Sequence, residues 1–312
     1  ETLRCPFVQI PLWSMRRSIH TNLSRHRQHV RAMGMRIRFL MRGMLATAMA
    51  GAACSTSTPP VAEKPAAPPE KAIVTPPPAP RIGKPVSAPS YAAVTRSGIR
   101  FSGVEFDSRS HRLVVIDQAG GPGTKYPDAG AAARSRNALA AVNAGFFTPE
   151  GDPLGLVVEG GVAAGSWNQA SSLGSGIWYE DAPGGSAIAR RGAIGREGAK
   201  RCRELLQAGP LLVENGDSVG GLSTRKTSAR TIIAWDGGDR WWIGRTSPCT
   251  LQSAAAALAS GGPCRWSVAH ALNLDGGRSS ELWVSGQVSG GPVSERPLWN
   301  RPVRNFLALA PR

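Results

Sequence analysis

The residues best suited to catalysis or ligand binding lie in one stretch, 271–280, which reads ALNLDGGRSS. An apolar run ends in Asn273 and Asp275, and the pair Gly276-Gly277 follows at once. This pattern predicts a buried strand that holds a carboxylate at its end, where glycines let the backbone approach a ligand. The alternative is a turn capped by an Asx side chain, with no ligand. The carboxylate makes acid–base chemistry the first functional hypothesis.

Further segments that could contribute functional residues combine an apolar run with polar and glycine residues. They are VNAGFF at 142–147 and LQAGP at 206–210, while TSART at 227–231 places Arg230 just before a predicted strand. Arginine binds phosphate oxygens through two parallel hydrogen bonds, so Arg230 is the first candidate for an anion ligand and Arg278 the second. For each of them the alternative is an ordinary surface arginine.

Taken together and in this order, the segments resemble the phosphodiester glycosidase family. The resemblance runs from about 137 to 305 and includes PLGLVV at 153–158 and the closing NRPVRN at 300–305. It implies an exported hydrolase that cleaves the glycosidic bond of a sugar-1-phosphodiester in envelope or exopolysaccharide material. The chain departs from the family pattern at Arg278, where a third glycine or a small residue is usual, and at Ala144, where glycine is frequent.

The site residues are those that match the family motifs. Asp275 and Arg230 are predicted to be catalytic, because glycosidic cleavage needs a carboxyl group and a phosphodiester carries negative charge. The predicted substrate-binding residues are Asn143, Gly145, Phe146, Gln207, Gly209, Thr231, Asn273, Gly276, Gly277, Arg278, Ser279 and Ser280. The two asparagines either bind sugar hydroxyls or brace loops, and Phe146 either stacks on a sugar or packs in the core.

A second carboxyl group, which glycosidases usually have, is not assigned. Its candidates are Glu150, Asp152, Glu159 and Glu281. Because phosphate is already a weakly basic leaving group, one carboxylate plus an arginine is the simpler arrangement. No cofactor is predicted, and a divalent cation at Asp275 stays open, since no second ligand has a recognisable spacing. His270 is expected to be a packed core residue rather than a catalyst.

The N-terminal third of the chain is expected to be a leader and a spacer. Residues 1–34 are expected to precede the true start, and 35–54 read as an export signal that ends in the lipobox-like AGAAC. Cys54 would then carry a lipid; the alternative is ordinary cleavage after AGA. Residues 55–91 form a Pro/Ala-rich linker, expected to be an extended, semi-rigid spacer, with a disordered tail as the alternative. This leaves 92–312 as a single domain.

Charge and location limit the partners. The chain has a formal charge of +16, but its first 54 residues contain nine arginines and one acid. Half of the excess charge therefore lies in the leader, which argues against a nucleic-acid partner. The expected partners are a sugar-phosphate or polysaccharide substrate and, through a lipid on Cys54, a membrane, with the domain in the periplasm or cell envelope. The alternative function is a non-catalytic carbohydrate-binding envelope lipoprotein on the same fold.

Many short apolar runs between glycine turns predict an α+β fold with mainly antiparallel sheets and few helices. Segments 99–106 and 111–116 are predicted to form one hairpin, and 231–235 and 240–243 a second, in which one of Trp241 and Trp242 faces inward and the other outward. Helices are predicted at 128–137 and 251–259. A disulfide between Cys249 and Cys264 would staple the ends of the second helix, but three thiols with Cys202 leave the pairing open.

Overall fold

The computed structural model describes residues 87–181 and 184–312 of the 312-residue chain. The expectations for 1–34, for 35–54 with Cys54, and for the linker up to residue 86 lie outside the described residues. The first strand begins at Ser90, so Ser90 and Tyr91, which the sequence assigns to the linker, belong to the folded part.

Seventeen strands and three short helices make up the described residues. The strands are β1 (Ser90–Arg96), β2 (Ile99–Asp107), β3 (His111–Asp117), β4 (Ala140–Asn143), β5 (Val157–Glu159), β6 (Val162–Ala164), β7 (Gly176–Asp181), β8 (Ser186–Arg190), β9 (Cys202–Ala208), β10 (Leu211–Glu214), β11 (Asp217–Ser218), β12 (Thr231–Trp235), β13 (Arg240–Thr246), β14 (His270–Asn273), β15 (Leu282–Val284), β16 (Val293–Glu295) and β17 (Asn305–Pro311). The helices are α1 (Ala129–Arg134), α2 (Arg191–Ala199) and α3 (Leu251–Ala259), and single 3-10 turns lie at Ser172–Gly174 and Gly277–Ser279.

These strands form three sheets, and every pair of neighbouring named strands is antiparallel. Sheet 1 has the order β1-β2-β13-β12-β14-β10-β11, sheet 2 has β16-β15-β4-β17-β3, and sheet 3 has β6-β5-β9-β7-β8. The predicted α+β class with mainly antiparallel sheets is confirmed.

The main core lies where the three sheets face one another. Sheet 1 contributes Ile233 and Leu272, sheet 2 contributes Val142, and sheet 3 contributes Trp178 and Leu206, all of them fully buried. Burying such side chains is the dominant stabilising term in a domain of this kind, roughly 2 kcal/mol for each. The core holds the strand ends rigid, and polar residues at those ends are therefore held in place.

The helices cover the outer faces of the sheets, and two of them begin where the sequence predicts. Asp128 caps α1 by accepting a hydrogen bond from the Ala131 N–H at 2.8 Å. Thr250 and Ser253 form a reciprocal capping box at the start of α3. The nine residues of α2 were not predicted, because the segment contains three glycines and no clear apolar period.

One predicted hairpin is wrong and the other is confirmed. β2 pairs with β1 and β13 in sheet 1, whereas β3 pairs with β17 in sheet 2, so the two segments do not pair with each other. The buried Asp107 carboxylate accepts hydrogen bonds from the Arg109 backbone and side chain at this corner between the sheets. The pairing of β12 with β13 confirms the second hairpin.

Sheet 1 is buried on both faces, which corrects the expectation that only one of its two adjacent tryptophans is buried. Trp241 and Trp242 point to opposite faces, yet both are buried, since one packs in the main core and the other under α3. The three cysteines of the described residues, Cys202, Cys249 and Cys264, are buried free thiols, so the structure contains no Cys249–Cys264 disulfide. Among the described residues, no helix has the length and apolarity needed to cross a bilayer.

Candidate active site

The end of β14 brings the predicted carboxylate beside two other strands. The Asp275 N–H donates to the Ala144 carbonyl at 2.9 Å, just beyond β4. One residue earlier, the Leu274 N–H donates to the carbonyl of Thr231, the first residue of β12, at 2.8 Å. Three of the four sequence motifs therefore meet at one place, around residues 275–280, which we call the Asp275 loop.

Asn143 is the central brace of this meeting point. Its Nδ2 donates to the Asp275 carbonyl at 2.7 Å, and its Oδ1 accepts from the Thr231 hydroxyl at 2.7 Å and from the Glu281 N–H at 3.1 Å. The side chain is fully buried. Because a buried amide without partners costs free energy, these three bonds fix the positions of both ends of the Asp275 loop.

A second line of contacts supports the loop from behind. Ser280 Oγ lies 3.0 Å from Thr231 Oγ1 and accepts a hydrogen bond from Arg245 Nε at 3.4 Å. Thr231 and Ser280 are both fully buried. With Thr231 donating to Asn143, the polar contacts run without a break from Arg245 to the backbone of Asp275.

The two glycines of the loop are required by its geometry. A Cβ on Gly276 would lie 2.6 Å from the Ala229 carbonyl oxygen, a distance that no side chain tolerates. Gly277 has a φ of +65°, in the left-handed region, and its N–H donates to the same Ala229 carbonyl at 2.8 Å. The glycines therefore allow the turn at Gly277–Ser279 to fold back against the segment before β12.

Burial sets the protonation of Asp275. Desolvation raises the pKa of its half-buried carboxyl group to about 6, although hydrogen bonds from Ser279 and the Gly276 N–H and the positive charge of Arg301 all act to lower it. The Gly276 N–H donates to Asp275 Oδ1 at 2.9 Å. A carboxyl group with this pKa can both hold and release a proton near neutral pH, as a general acid or base must.

Basic and aromatic residues of the closing segment contact the Asp275 loop. The guanidinium carbon of Arg301 lies 4.9 Å from the centre of the Phe147 ring, and the Arg301 N–H donates to the Arg278 carbonyl at 2.9 Å. Arg278 Nε in turn donates to the Trp299 carbonyl at 2.9 Å. The indole of Trp299 is 80% exposed and Leu298 is 97% exposed, so an apolar segment with little burial is tied to the Asp275 loop.

The sequence model of the phosphodiester glycosidase family matches residues 136–310 of this chain. The chain belongs to the phosphodiester glycosidase family. The family and the fold relate the chain to hydrolases of this type.

One solved structure with a TM-score above 0.5 supports the fold. The catalytic domain of the zebrafish N-acetylglucosamine-1-phosphodiester alpha-N-acetylglucosaminidase, auto-inhibited by its pro-peptide, superposes with a TM-score of 0.52 at 18% identity, covering 74% of this chain and 85% of that one. A hypothetical protein from Synechocystis gives a TM-score of 0.49 at 18% identity, over 74% of this chain and 64% of that one. No curated protein matches this chain.

The guanidinium of Arg230 makes its hydrogen bonds to the loop before α3, and its predicted catalytic role stays a prediction. Arg230 Nε and Nη2 both donate to the Cys249 carbonyl at 3.2 Å, and Nη2 also donates to the Lys226 carbonyl at 2.8 Å. Thr231 uses its side chain toward Asn143, whereas Arg230 turns toward the loop before α3. The guanidinium that acts on Asp275 is that of Arg301, and Arg230 braces its own loop instead.

Several of the predicted substrate-binding residues are also braces. The side chain of Gln207 is buried and makes four hydrogen bonds to backbone groups of residues 156, 168 and 174. Asn273 Nδ2 donates to the Gly209 carbonyl at 3.0 Å, and Phe146 packs against the main core. The Gly145 N–H donates to Asn305 Oδ1 at 2.6 Å. These side chains brace the strand ends and the loops between them, while the Ser279 side chain hydrogen-bonds to the Asp275 carboxyl group.

The four candidates for a second carboxyl group differ in their surroundings. Glu150 and Asp152 are exposed, and Glu159 is paired with Arg136. Glu281 is buried, and this burial raises the pKa of its carboxyl group to about 7. Hydrogen bonds from the Ala129 N–H and Asn300 and the positive charge of Arg296 act to lower the same pKa. The charges that act on the pKa of Glu281 are those of Arg296 and Asp128, whereas the charge that acts on the pKa of Asp275 is that of Arg301.

Sequence reasoning missed Arg301 and Trp299. Both lie in or beside the closing motif NRPVRN, which was part of the resemblance but from which no site residue was carried over. The signal was available as an arginine and a tryptophan among prolines, a composition typical of an exposed loop. Within 87–181 and 184–312 no three His, Cys, Asp or Glu side chains cluster closely enough to hold a metal ion. The divalent cation at Asp275 therefore stays a prediction.

Proposed function

We propose that this chain hydrolyses the bond between the anomeric carbon and the phosphate of a sugar-1-phosphodiester. The observation that carries the proposal is the Asp275 carboxyl group, which follows a rigid strand, has its pKa raised by burial to about 6 and is acted on by the positive charge of Arg301. A rigid strand end supplies the carboxylate, and exposed arginines supply positive charge where an anionic substrate would arrive.

In the proposed reaction, Asp275 acts as the base. Above pH 6 or so its carboxyl group is ionised and takes a proton from the attacking water, whose oxygen forms a bond to the anomeric carbon. The bond from that carbon to the phosphate oxygen breaks, and its electron pair leaves with the phosphate monoester. Arg301 and Arg278 stabilise the negative charge on this leaving group, which needs no proton from a second carboxyl group.

A direct test uses the N-acetylglucosamine-1-phosphodiester named in the zebrafish relative, offered to this protein in water labelled with heavy oxygen. Cleavage of the glycosidic bond places the label on the released sugar, whereas attack at phosphorus places it on the phosphate. Asp275→Asn should abolish release, and Asp217→Asn, an exposed aspartate of β11, is the matched control. Equal release by the Asp275→Asn variant and the native protein would exclude the proposal.

A non-catalytic carbohydrate-binding protein is the second candidate function. The observation that favours it is that the half-buried Asp275 and the buried Glu281 respond to different charges, so no partner carboxyl group for Asp275 is evident among the described residues. Most glycosidases use a coupled pair. This candidate predicts saturable binding of the sugar phosphodiester with no released sugar, and binding that Asp275→Asn leaves intact.

The export pattern at 35–54 supports a location outside the cytoplasm for this reaction, with Cys54 as a lipid anchor on the membrane. Envelope or exported polysaccharide would then supply the substrate. In a bacterial host, Cys54→Ser should move the protein from the membrane to the soluble fraction. Ordinary cleavage after AGA predicts instead that both forms are soluble.

A further inference from the structure

A cavity of about 430 Å³ lies next to the candidate active site. It is formed by residues of β2, β13 and β16 and by the turn that follows β13. The lining residues are Arg100, Ser102, Arg245, Thr246, Ser247, Pro248 and Glu295. Arg100 and Ser102 precede the segment 136–310 that the family model matches, so part of this cavity is built by strands outside it.

Strand register places the polar lining residues side by side. Arg245 of β13 lies opposite Ser102 of β2 on one side and opposite Thr231 of β12 on the other. Cross-strand partners share a face of the sheet, so these three side chains form one row. Arg100 extends this row, because its Nε donates to Ser102 Oγ at 3.3 Å.

The cavity has an excess of positive charge. Glu295 is its one acidic lining residue, and its two carboxylate oxygens accept from Arg100 Nη2 at 3.3 Å and from Arg245 Nη1 at 3.1 Å. Tyr91 also donates to Glu295, at 3.1 Å. Two guanidinium groups thus share one carboxylate, which leaves a net charge of one. The side chain of Arg245 is only 17% exposed, so its charge is less screened by solvent than that of a surface arginine.

The geometry points to this cavity as a second anion subsite, which takes a phosphate group carrying one negative charge. The ligand class follows from the donors, because two planar guanidinium groups and adjacent hydroxyls match the oxygens of a tetrahedral anion. The subsite is joined to the active site through Ser280, which contacts Arg245 and Thr231. Resting on the proposed function, it would bind a neighbouring phosphate of a substrate with successive sugar phosphodiesters.

The first test measures binding of inorganic phosphate by calorimetry, and therefore does not depend on turnover. We expect saturable binding that Arg100→Gln weakens about tenfold, as the loss of one charge-assisted contact should do. Arg190→Gln is the matched control, since Arg190 is 54% exposed and paired with Glu214, as Arg100 is 57% exposed and paired with Glu295. Unchanged binding by Arg100→Gln, or no saturable binding by the native protein, would overturn the subsite.

Further variants locate the binding and identify its source. Loss of phosphate binding in Arg301→Gln but not in Arg100→Gln or Arg245→Gln would assign the anion to the Asp275 loop and overturn the inference. For a substrate with two phosphodiester groups, Arg100→Gln should raise KM and leave kcat unchanged, with no effect on a substrate with one. Phosphate binding without that difference in KM would support a site for free phosphate rather than for the substrate.

Discussion

Asn143 Nδ2 donates to the backbone carbonyl of Asp275 at 2.7 Å, so a residue at the end of β4 fixes the residue at the end of β14. Asn143 ends a strand of sheet 2, Asp275 lies two residues beyond a strand of sheet 1, and the two are 132 positions apart in the chain. The same amide accepts hydrogen bonds from Thr231 and Glu281, on either side of the Asp275 loop. The placement of the carboxylate therefore depends on a fully buried side chain at the end of a strand in another sheet.

Replacing Asn143 should consequently damage both stability and catalysis. Asn143→Ala leaves buried donors and acceptors without partners, and we expect a loss of about 2–4 kcal/mol in the free energy of unfolding. Thr231→Val, which keeps the shape and removes one hydroxyl group, should cost roughly half as much. Urea unfolding measures both losses, and kcat should fall more than KM rises. Equal stability of Asn143→Ala and the native protein would contradict the bracing role.

Asp275→Asn should lower activity and raise stability at the same time. The loss of the base should reduce kcat on the order of a thousandfold. The folded-state pKa of about 6 lies above the ordinary value of 3.8, so the native protein loses stability as pH rises between these values. The neutral variant avoids this loss and should be about 2 kcal/mol more stable at neutral pH, with no gain once the pH falls below 3.8.

Glu281→Gln is the matched control for this prediction. Its carboxyl group is also buried and its pKa is also raised, to about 7, but it accepts from the Ala129 N–H and responds to Arg296 and Asp128 rather than to Arg301. Since glutamine can accept the same hydrogen bond, kcat should stay within about threefold of the native value. A loss as large as that of Asp275→Asn would make Glu281 the missing second carboxyl group.

The pH profile should report on Arg301. If Asp275 is the base, kcat/KM rises with pH through about 6. Arg301 lowers the pKa of Asp275, so Arg301→Gln should move this rise toward higher pH. Arg278→Gln is the control, because Arg278 is not among the charges that act on this pKa, and its profile should keep the native midpoint. A kcat/KM that falls through the same range would make Asp275 a general acid instead.

The sequence predicts this site well where local pattern decides the structure. The apolar run before Asp275, the glycines after it and the hairpin of β12 and β13 all follow from neighbouring residues. The α+β class follows in the same way, since short apolar runs between glycine turns are a local signal. The family motifs, taken together, then predict which strand ends are neighbours, which no single motif residue predicts alone.

Long-range pairing could not be predicted in the same way. β2 and β3 have the pattern of a hairpin, but β3 pairs with β17, which begins 188 residues further along the chain. Trp241 and Trp242 alternate as a strand requires, yet both are buried because α3 covers the second face of sheet 1. Such facts depend on what packs against an element, which its own sequence does not contain.

The side chains around Asp275 show the same division. Arg230 has the expected type and position in the chain, but the carbonyls of Cys249 and Lys226 attract its guanidinium. The closing segment returns to the Asp275 loop through Arg301, whose N–H donates to the Arg278 carbonyl, and the Arg301 charge lowers the pKa of Asp275. Motif spacing predicts an arginine near the carboxylate, whereas the direction of each guanidinium depends on the tertiary structure.

Trp299 should contribute to substrate binding rather than to bond cleavage. Its indole is 80% exposed, yet its carbonyl is held by Arg278 beside the Asp275 loop, an arrangement suited to stacking on a sugar ring. Trp299→Ala should therefore raise KM about three- to tenfold with kcat unchanged, and Trp299→Phe should restore most of the affinity. Leu298→Ala, the neighbouring exposed residue, is the control and should leave KM near the native value. An equal rise in KM for both alanine variants would mean that the segment acts through general apolar contact, and no rise in either would remove Trp299 from the site.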